Sequence, residues 1–569
     1  MNRTINHGTD ETRRFSSNHP VSSWLNKRFF LLLFPLTFLT IFFFYPLSRI
    51  IALTLNTSAL TSENLRIAYS ALGFTFYQAT LSIILTLMLG LPSAYLFARY
   101  EFRGKSLLRA LTAVPFMLPT VVVAAGFNAM LGPRGLIPSF FPHSSFNFIG
   151  TLTAILIAHV FYNTTIIIRV VENALSSLDP KLEYAARSLG ADSSNVWWNI
   201  TLPLIRPSLL ASSVLVFLFD FTSFGVILLL GGSRFSTLEV EIYLRVLRLP
   251  DLPLAALLSV IQLICTLIIS ILYSRTLTRA TVQSAPRSAH SNIRKPRNLR
   301  ERITIAAFIF LLASFFLLPL SALPIRSFFR LEPDRGQRGE IQYGFTADYY
   351  RELFVNRRGS VFYVPPIQAT INSIRYAGAT VVLSLLLGFP AALALAKPTR
   401  VEKILDPLIM LPMGSSAVML GLGFIISYGA WMTSPLLVPF AHTLVALPFV
   451  IRTLQPALAS IPERLRQAAA SLGAPPFQVW KTIDWPILRR ATLAAATFAF
   501  TISLGEFGAT LLISRPEYPT IPVAIERFLS QPGGLNYGQA MAMATILMVL
   551  TTASILLIEK IRLPGAGEF

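Results

Sequence analysis

Long apolar stretches alternate along the chain with short polar connectors. Stretches such as Phe29–Tyr45, Ile303–Leu320 and Ala540–Ile558 approach or reach the roughly 17–25 residues that a helix needs to cross a bilayer. The pattern predicts an all-α polytopic membrane protein with about twelve spanning helices. Six are expected near 28–54, 70–98, 107–130, 149–173, 205–231 and 252–275, and six near 302–324, 369–396, 405–428, 434–455, 489–513 and 538–560.

Composition agrees with this pattern. Hydrophobic residues make up 53% of the 569 residues and charged residues only 13%, which is too little charge to cover a water-soluble protein of this size. The first apolar stretch follows a polar segment of 28 residues and has no small-residue cleavage site. We therefore expect it to stay in the protein as a span and not to be removed as a signal peptide.

The net charge of +21 is concentrated in the short connectors. Eight Lys/Arg and one acidic residue lie between Arg275 and Arg302, and further basic clusters lie at 13–28, 99–109 and 397–403. This distribution follows the positive-inside rule and argues against a nucleic-acid surface. It predicts a multi-pass protein of the cytoplasmic (inner) membrane with both termini in the cytoplasm and segment 325–368 outside.

A search for self-similarity finds an internal repeat at a constant offset of 283 residues. His159 matches His442, Arg169 matches Arg452, and further identities continue over some 80 residues. An even number of spans in each half gives both copies the same orientation in the membrane, so the repeat is parallel. The predicted units are a tail at 1–27, a first repeat at 28–275, a linker at 276–301, a second repeat at 302–560 and a tail at 561–569.

The strongest part of the repeat is a cytoplasmic loop after the fourth helix of each half, at 178–190 and 461–473. Each loop predicts a short helix that ends at a glycine, Gly190 or Gly473. The first helix has Asp179 as N-cap and Pro180 at its first position, whereas Ser460 and Glu463 form a capping box for the second. Each helix has an apolar stripe, formed by Leu182, Ala185, Ala186 and Leu189 in the first copy and by Leu465, Ala468, Ala469 and Leu472 in the second.

Both loops share the frame Ala-Ala-x3-Gly-x9-Ile-x-x-Pro, which ends at Pro203 and Pro486. The frame resembles the EAA loop of binding-protein-dependent ABC import permeases of the type I fold. The resemblance implies that each loop helix docks in a groove of an ATPase subunit. It assigns this coupling to Leu182, Tyr184, Ala185, Ala186, Gly190, Pro203, Leu465, Gln467, Ala468, Ala469, Gly473 and Pro486. The motif's glutamate is absent, because Tyr184 and Gln467 occupy its position, and Glu183 is about 100° away round the helix.

The resemblance also implies partners. The chain is expected to be a transport subunit without catalytic residues or a cofactor of its own. ATP-Mg would be bound by a separate ABC ATPase, a homodimer because the two loops are so alike, and an external solute-binding protein would deliver the cargo. The tripeptide Gly104-Lys105-Ser106 ends like a phosphate-binding loop, but Arg99 occupies the position of the required glycine. The single cysteine, Cys265, is expected to pack in the core, and no metal site is predicted.

Acidic residues in two equivalent spans mark the predicted pathway, because charge within a bilayer is costly. Asp220 and Glu506 each precede a Phe-Gly step, and the predicted pathway residues are Asp220, Phe224, Gly225, Glu506, Phe507 and Gly508. Two interpretations remain open, a polar lining that contacts a cationic cargo or hydrogen-bonded structural acids. His159 and His442 are expected to pack between helices, and Pro92, Pro119, Pro390 and Pro412 to kink spans.

The stretches 503–509 and 230–243 resemble the fused permeases of ferric-iron and thiamine importers. The two acids favour a cationic cargo, with iron(III) slightly ahead of thiamine. The alternative is an ion- or proton-coupled secondary transporter, because one large carrier superfamily also has parallel six-helix halves.

Overall fold

The computed structural model describes residues 21–55, 59–140, 148–282, 294–296, 298–331, 344–356 and 364–561. Among these residues, eleven helices are long and apolar enough to cross a membrane, or twelve if Arg400–Gly414 and Ala417–Trp431, which are bent by 96°, form one span. The prediction of about twelve spans is confirmed. The predicted tails and most of the predicted linker lie outside the described residues.

The first half contains spans 1 to 6, several of which consist of more than one helical piece. These are Val21–Thr54 (span 1, with a π turn at Thr40–Phe44), Ser62–Arg99 (span 2), Lys105–Met117 with Thr120–Leu131 (span 3), Leu152–Ser177 (span 4), Ser193–Phe221 with Gly225–Gly231 (span 5) and Leu252–Val282 (span 6). Shorter helices are Leu136–Phe140, Pro180–Ser188, Gly232–Arg234 and Leu238–Leu247.

The second half repeats this order as spans 7 to 12. These are Leu299–Phe328 (span 7), Pro366–Leu395 (span 8), Arg400–Met410 with Ala417–Tyr428 (span 9), Leu437–Ala459 (span 10), Pro476–Gly505 with Gly508–Ile513 (span 11) and Gly534–Ile561 (span 12). Shorter pieces are the strands Phe329–Arg330 and Gly344–Phe345, which pair antiparallel, and the helices Asp348–Arg351, Glu352–Phe354, Leu411–Gly414, Gly429–Trp431, Glu463–Ser471 and Ile521–Leu529.

Spans 3, 5, 9 and 11 are broken, which the predicted bounds of these spans do not show. Span 3 breaks at Leu118, whose backbone is extended (φ −82°, ψ 147°) before Pro119. A proline disfavours the helical conformation of the residue before it, and its ring removes a backbone donor. The predicted kink at Pro119 is therefore a full break, and Pro412 likewise lies in the bend of span 9.

The first span of each half packs against the opposite half. Tyr428 of span 9 donates a hydrogen bond to the carbonyl of Ile41 in span 1 (2.6 Å), and Gly423 lies against Pro46. In the reciprocal contact, a Cβ at Gly126 of span 3 would lie 2.8 Å from the carbonyl oxygen of Pro319 in span 7. This exchange joins the two repeats into one core.

A glycine also allows span 12 to lie very close to the segment between spans 7 and 8. A Cβ at Gly538 in span 12 would lie 2.2 Å from the ring of Tyr349, which belongs to the segment between spans 7 and 8. We expect Gly538→Ala to displace the buried ring of Tyr349 and to lower the free energy of unfolding by about 1–3 kcal/mol. Thermal unfolding of the detergent-purified protein measures this change.

Gly378→Ala in span 8 is the matched control, since a Cβ there meets nothing within 4 Å. Alanine is favoured over glycine in a helix, so this variant should be as stable as the wild type or slightly more stable. Equal melting temperatures for Gly538→Ala and Gly378→Ala would contradict the close approach.

Candidate functional site

The two predicted loop helices are present. They are loop helix 1 (Pro180–Ser188) and loop helix 2 (Glu463–Ser471). Asp179 caps loop helix 1 as predicted, because its carboxylate accepts a hydrogen bond from the backbone N–H of Lys181 (3.0 Å). Loop helix 2 begins after Pro462 without a side-chain cap.

The predicted capping box of Ser460 and Glu463 is wrong. Ser460 is the C-cap residue of the preceding helix, directly after Ala459, and its hydroxyl donates to the carbonyl of Ala457 (2.8 Å). Pro462 occupies the N-cap position, so Ser460 lies two residues too early in the chain to cap the first turn. The carboxylate of Glu463 instead accepts from Lys397 Nζ (2.6 Å).

Both loop helices end in the same glycine motif. Gly190 (φ +89°) and Gly473 (φ +79°) have left-handed backbones, which a residue with a Cβ rarely adopts. The N–H of Ala191 donates to the carbonyl of Ala186, and the N–H of Ala474 donates to that of Ala469, both at 3.0 Å. These are the bonds of a Schellman motif, and they satisfy carbonyls that the helix end leaves free.

Neither loop helix contains a buried residue. Leu189 and Leu472 are 90% and 88% exposed, and Leu182 and Leu465 are nearly half exposed. Tyr184 and Gln467, at the position of the absent glutamate, are also exposed, as are Ala185 and Ala468, whereas Ala186 and Ala469 are half-buried. Apolar side chains at this density on a charged loop are typical of a protein-binding surface.

The connection from each loop helix to the following span is also the same in both halves. A π turn lies at the same repeat position in both halves, Trp197–Thr201 and Trp480–Asp484. Pro203 and Pro486 are the second residues of the next helix, so each proline, which has no backbone donor, lies where the hydrogen-bond pattern changes from π to α. Spans 5 and 11 therefore leave the two loops by the same geometry.

The Phe-Gly steps lie at the breaks of spans 5 and 11, where the two halves meet. The rings of Phe224 and Phe507 stack on each other, with centroids 5.5 Å apart. A Cβ at Gly225 would lie 2.6 Å from Thr120 Oγ1 and 3.3 Å from the Phe507 ring. Only glycine fits at this close contact between the halves.

A cavity of about 460 Å³ lies beside this contact, and all six predicted pathway residues line it. Most of the other lining is apolar and aromatic. The phenylalanines come from both halves and are Phe116, Phe219, Phe224, Phe449, Phe498 and Phe507. The polar part of the wall includes His159, Tyr162 and Asn163 of the first half.

Asp220 is buried in a polar group of the first half. Its Oδ1 accepts from the Asn163 amide (2.6 Å) and lies 3.4 Å from His159 Nδ1. His159 Nε2 lies 2.8 Å from the hydroxyl of Ser223. Asp220 Oδ2 has no hydrogen-bond partner among the described residues.

Glu506 has a different environment in the second half. One carboxylate oxygen accepts from the N–H of Ala509 (2.8 Å), and the other accepts from the N–H of Thr510 (3.0 Å) and from its hydroxyl. His442 Nε2 lies 3.3 Å from the carboxylate, and its Nδ1 lies 2.7 Å from the hydroxyl of Ser503. Glu506 thus caps the short helix that follows the break, and both of its oxygens are used.

The repeat register relates these two groups. Asp220 is equivalent to Ser503, and Ser223 is equivalent to Glu506, at the offset of 283. In each half a buried histidine contacts both positions, so the two halves carry the same three-residue group with the acid and the serine exchanged. The predicted packing role of the histidines agrees with this geometry.

A third acid in the cavity wall, Glu239, was not predicted. It lies on the short helix Leu238–Leu247 and accepts from Gln262 Nε2 (2.5 Å) and from Ser416 Oγ (2.6 Å). Ser416 caps the second piece of span 9, so Glu239 links the two halves. The segment between spans 5 and 6 has the length of a connector, so the sequence does not mark it as part of the cavity wall. The signal for such a role is the pair of acids Glu239 and Glu241 within an apolar run.

Lys105 of the phosphate-loop-like tripeptide has a structural contact. Its buried ammonium donates to the carbonyl of Tyr100 at the end of span 2 (2.8 Å), and Gly104 caps the next helix with φ +82°. Cys265 is half-buried. Among the described residues, no group of three or more His, Cys, Asp or Glu is placed to hold a metal ion.

The different environments of the two acids give a stability test. We expect Glu506→Gln to lower the free energy of unfolding by about 0.5–2 kcal/mol, because an amide cannot accept from all the donors that surround the carboxylate. Asp220→Asn is the matched comparison. It keeps one acceptor for Asn163 and removes a buried charge, so its melting temperature should equal or exceed that of the wild type. The opposite order of melting temperatures would contradict these assignments.

Comparison with known proteins identifies the family. The family profile described as "Binding-protein-dependent transport system inner membrane component" matches residues 86–283 and 384–562, once in each half. The chain is 30% identical to the "Thiamine transport system permease protein ThiP" of Brucella abortus (strain 2308) over 500 residues, which cover 86% of each chain. It is 26% identical to the protein of the same name from Escherichia coli (strain K12) over 509 residues (86% of this chain and 88% of the relative).

A further relative is the "Probable ABC transporter permease protein y4fN" of Sinorhizobium fredii, which is 24% identical over 517 residues (88% of this chain and 89% of the relative). The expected fusion of two permease units is confirmed by the two family matches. Together with its membrane helices, the comparisons identify a transport subunit of the inner membrane. The chain belongs to the binding-protein-dependent transport system inner membrane components, as a fused ABC importer permease.

Proposed function

We propose that this permease passes thiamine, or a closely related organic cation, from an external binding protein to the cytoplasm. The thiamine permeases among its relatives reverse the order expected from the sequence, which had iron(III) slightly ahead. The observation that carries the proposal is the lining of the cavity, where phenylalanines of both halves stand beside the carboxylate of Asp220.

The chemistry of this lining favours an organic cation over a bare metal ion. Aromatic faces attract cations and stack on aromatic rings, and pockets for small molecules are commonly about 300–1,000 Å³. A trivalent metal ion needs several hard oxygen ligands. Both oxygens of Glu506 are already used as acceptors, which leaves Asp220 as the better placed carboxylate.

The exposed loop helices support docking of an ATPase on the cytoplasmic side. Because the two helices are built alike, we infer that a homodimer binds them and that ATP-Mg is held there. Nucleotide binding would move both loops together and change the side to which the cavity opens.

We place both termini in the cytoplasm on the basis of the basic connectors. We assign coupling to the loop helices with Gly190, Gly473, Pro203 and Pro486, and the pathway to the predicted residues of spans 5 and 11.

Proteoliposomes test this function. The chain is reconstituted with a candidate ABC ATPase and a candidate solute-binding protein from the same organism, and uptake of radiolabelled thiamine is measured with and without ATP. We expect uptake only when ATP and both partners are present, with competition by unlabelled thiamine and none by ferric citrate. Uptake without the ATPase would instead support a secondary carrier. Competition by ferric citrate, with none by unlabelled thiamine, would contradict thiamine as the cargo.

The glycine motifs give a test of coupling. We expect the double change Gly190→Val and Gly473→Val to lower thiamine uptake per ATP hydrolysed by about tenfold or more, because valine rarely adopts their left-handed backbone and both docking helices lose their ends. Uptake and hydrolysis are measured on the same proteoliposomes.

Gly150→Val is the matched control. Gly150 has the same kind of backbone (φ +83°) with no atom near its Cβ position, but it lies at the opposite end of span 4 from loop helix 1. It should lose about as much stability as either single loop-glycine variant, while its uptake per ATP stays near that of the wild type. A wild-type ratio of uptake to ATP hydrolysis in the double variant would contradict a role of the loop helices in coupling.

A further inference from the structure

We propose that an ion pair in each half ties the loop helix to the cytoplasmic end of the half's second helix, and that this tie carries the motion of the loop into the membrane. The proposal rests on the proposed docking of an ATPase at the loop helices. It assigns a positioning role to Arg99 and Glu183 in the first half and to Lys397 and Glu463 in the second.

In the first half, a single carboxylate joins three elements. The guanidinium of Arg99, at the end of span 2, donates to Glu183 of loop helix 1. The hydroxyl of Thr201, in the π turn before span 5, donates to the same carboxylate (3.3 Å). The side chains of Arg99 and Glu183 are only 9% and 16% exposed. Glu183 therefore points into the protein, whereas its neighbour Tyr184 is exposed.

The second half makes the same connections with different residues. Lys397 lies just beyond span 8, and its ammonium donates to Glu463 of loop helix 2 (2.6 Å). The guanidinium of Arg466 donates to Asp484, in the π turn before span 11 (2.8 Å). The hydrogen bond from Lys397 lowers the pKa of Glu463 below its usual range.

The two sets of contacts join the same elements, but they use different positions of the loop helix. Arg99 and Lys397 each follow by nine residues the glycine of a Gly-x-Pro step in their span, at Gly90 and Gly388. At the offset of 283, Arg466 replaces Glu183 and Asp484 replaces Thr201, so in the contact with the π turn the loop helix accepts in the first half and donates in the second. The connection is thus repeated although its residues have changed, which favours a role for the connection itself.

Polar contacts matter here because the loop helices have little else to hold them. Neither has a buried residue, so apolar packing against their own half is slight. Removing one partner of a shielded ion pair leaves an uncompensated charge, whereas an exposed pair contributes little. The pair of Arg99 and Glu183 is shielded, but Lys397 and Glu463 are 52% and 60% exposed. We infer that loop helix 1 is the more tightly tied.

The end of span 2 also holds part of the segment that leads to span 7. The N–H of Arg294 donates to the carbonyl of Arg99 (2.9 Å), and the N–H of Glu101 donates to that of Arg294 (3.0 Å). The guanidinium of Arg294 lies over the ring of Tyr100 and pairs with Glu301 (2.9 Å). A displacement of Arg99 by loop helix 1 therefore reaches the start of the second half directly.

Charge exchange tests the tie in the reconstituted complex. We expect Arg99→Glu and Glu183→Arg, made singly, to keep the ATPase bound and hydrolysing but to lower thiamine uptake per ATP by about fivefold or more. The double variant Arg99→Glu with Glu183→Arg should restore the ratio to within about twofold, because the pair is rebuilt with its charges exchanged. Glu463→Gln should lower the ratio by a smaller factor, about twofold, because the exposed pair with Lys397 holds loop helix 2 less tightly.

Arg103→Ala is the control, since Arg103 is exposed on the connector after span 2 and should leave the ratio unchanged. The milder variant Glu183→Gln, with melting temperatures for every protein, separates a loss of coupling from a loss of folding. Single variants with the wild-type ratio, or a double variant that stays as impaired as the singles, would overturn the tie. The proposed function fails separately, if the wild-type complex takes up thiamine without ATP.

Discussion

A backbone amide or carbonyl cannot be left unpaired in hydrocarbon, and this constraint governs the centre of the protein. Spans 3, 5, 9 and 11 are all broken, so each break must be enclosed by protein and supplied with partners. Glu506 supplies acceptors for the helix after one break, and Ser416 caps the helix after another. The cavity lies among these breaks because they are the places where polar groups are already buried. The first span of each half, packed on the opposite half, helps to enclose them.

Duplication kept the architecture of the two halves while individual charges moved. Around the cavity, the acid and the serine occupy exchanged repeat positions, because Asp220 is equivalent to Ser503 and Ser223 is equivalent to Glu506. Each half keeps a histidine that contacts both positions. At the cytoplasmic surface, the contacts between the loop helices and the π turns exchange donor and acceptor in a similar way. A fused chain permits such divergence because its halves always meet each other and never a second copy of themselves. The acid of the second half stabilises the break, whereas the acid of the first half lies in a polar group beside the cavity.

The sequence predicts the features that depend on local pattern. Apolar length predicts the number of spans, and the repeated frame predicts two loop helices that end at Gly190 and Gly473. The sequence does not predict features that depend on tertiary contact. The breaks near Phe224 and Phe507 have the same hydropathy as the helices around them, so a window average runs through them. Glu239 looks like a residue of a connector until the fold brings it to Ser416, and the cap of loop helix 2 is decided by Pro462 rather than by Ser460.

We propose that an ATPase moves the two loop helices of this chain together. The distance between spin labels at Arg187→Cys and Ala470→Cys in a Cys265→Ser background, measured by pulsed electron resonance in the reconstituted complex, tests this most directly. Both positions are exposed and lie off the apolar stripes, and Cys265 is the only cysteine in the sequence. We expect one distance without nucleotide and a shifted distance with ATP, and no shift in the chain without its ATPase. An unchanged distance in a complex that transports thiamine would contradict it.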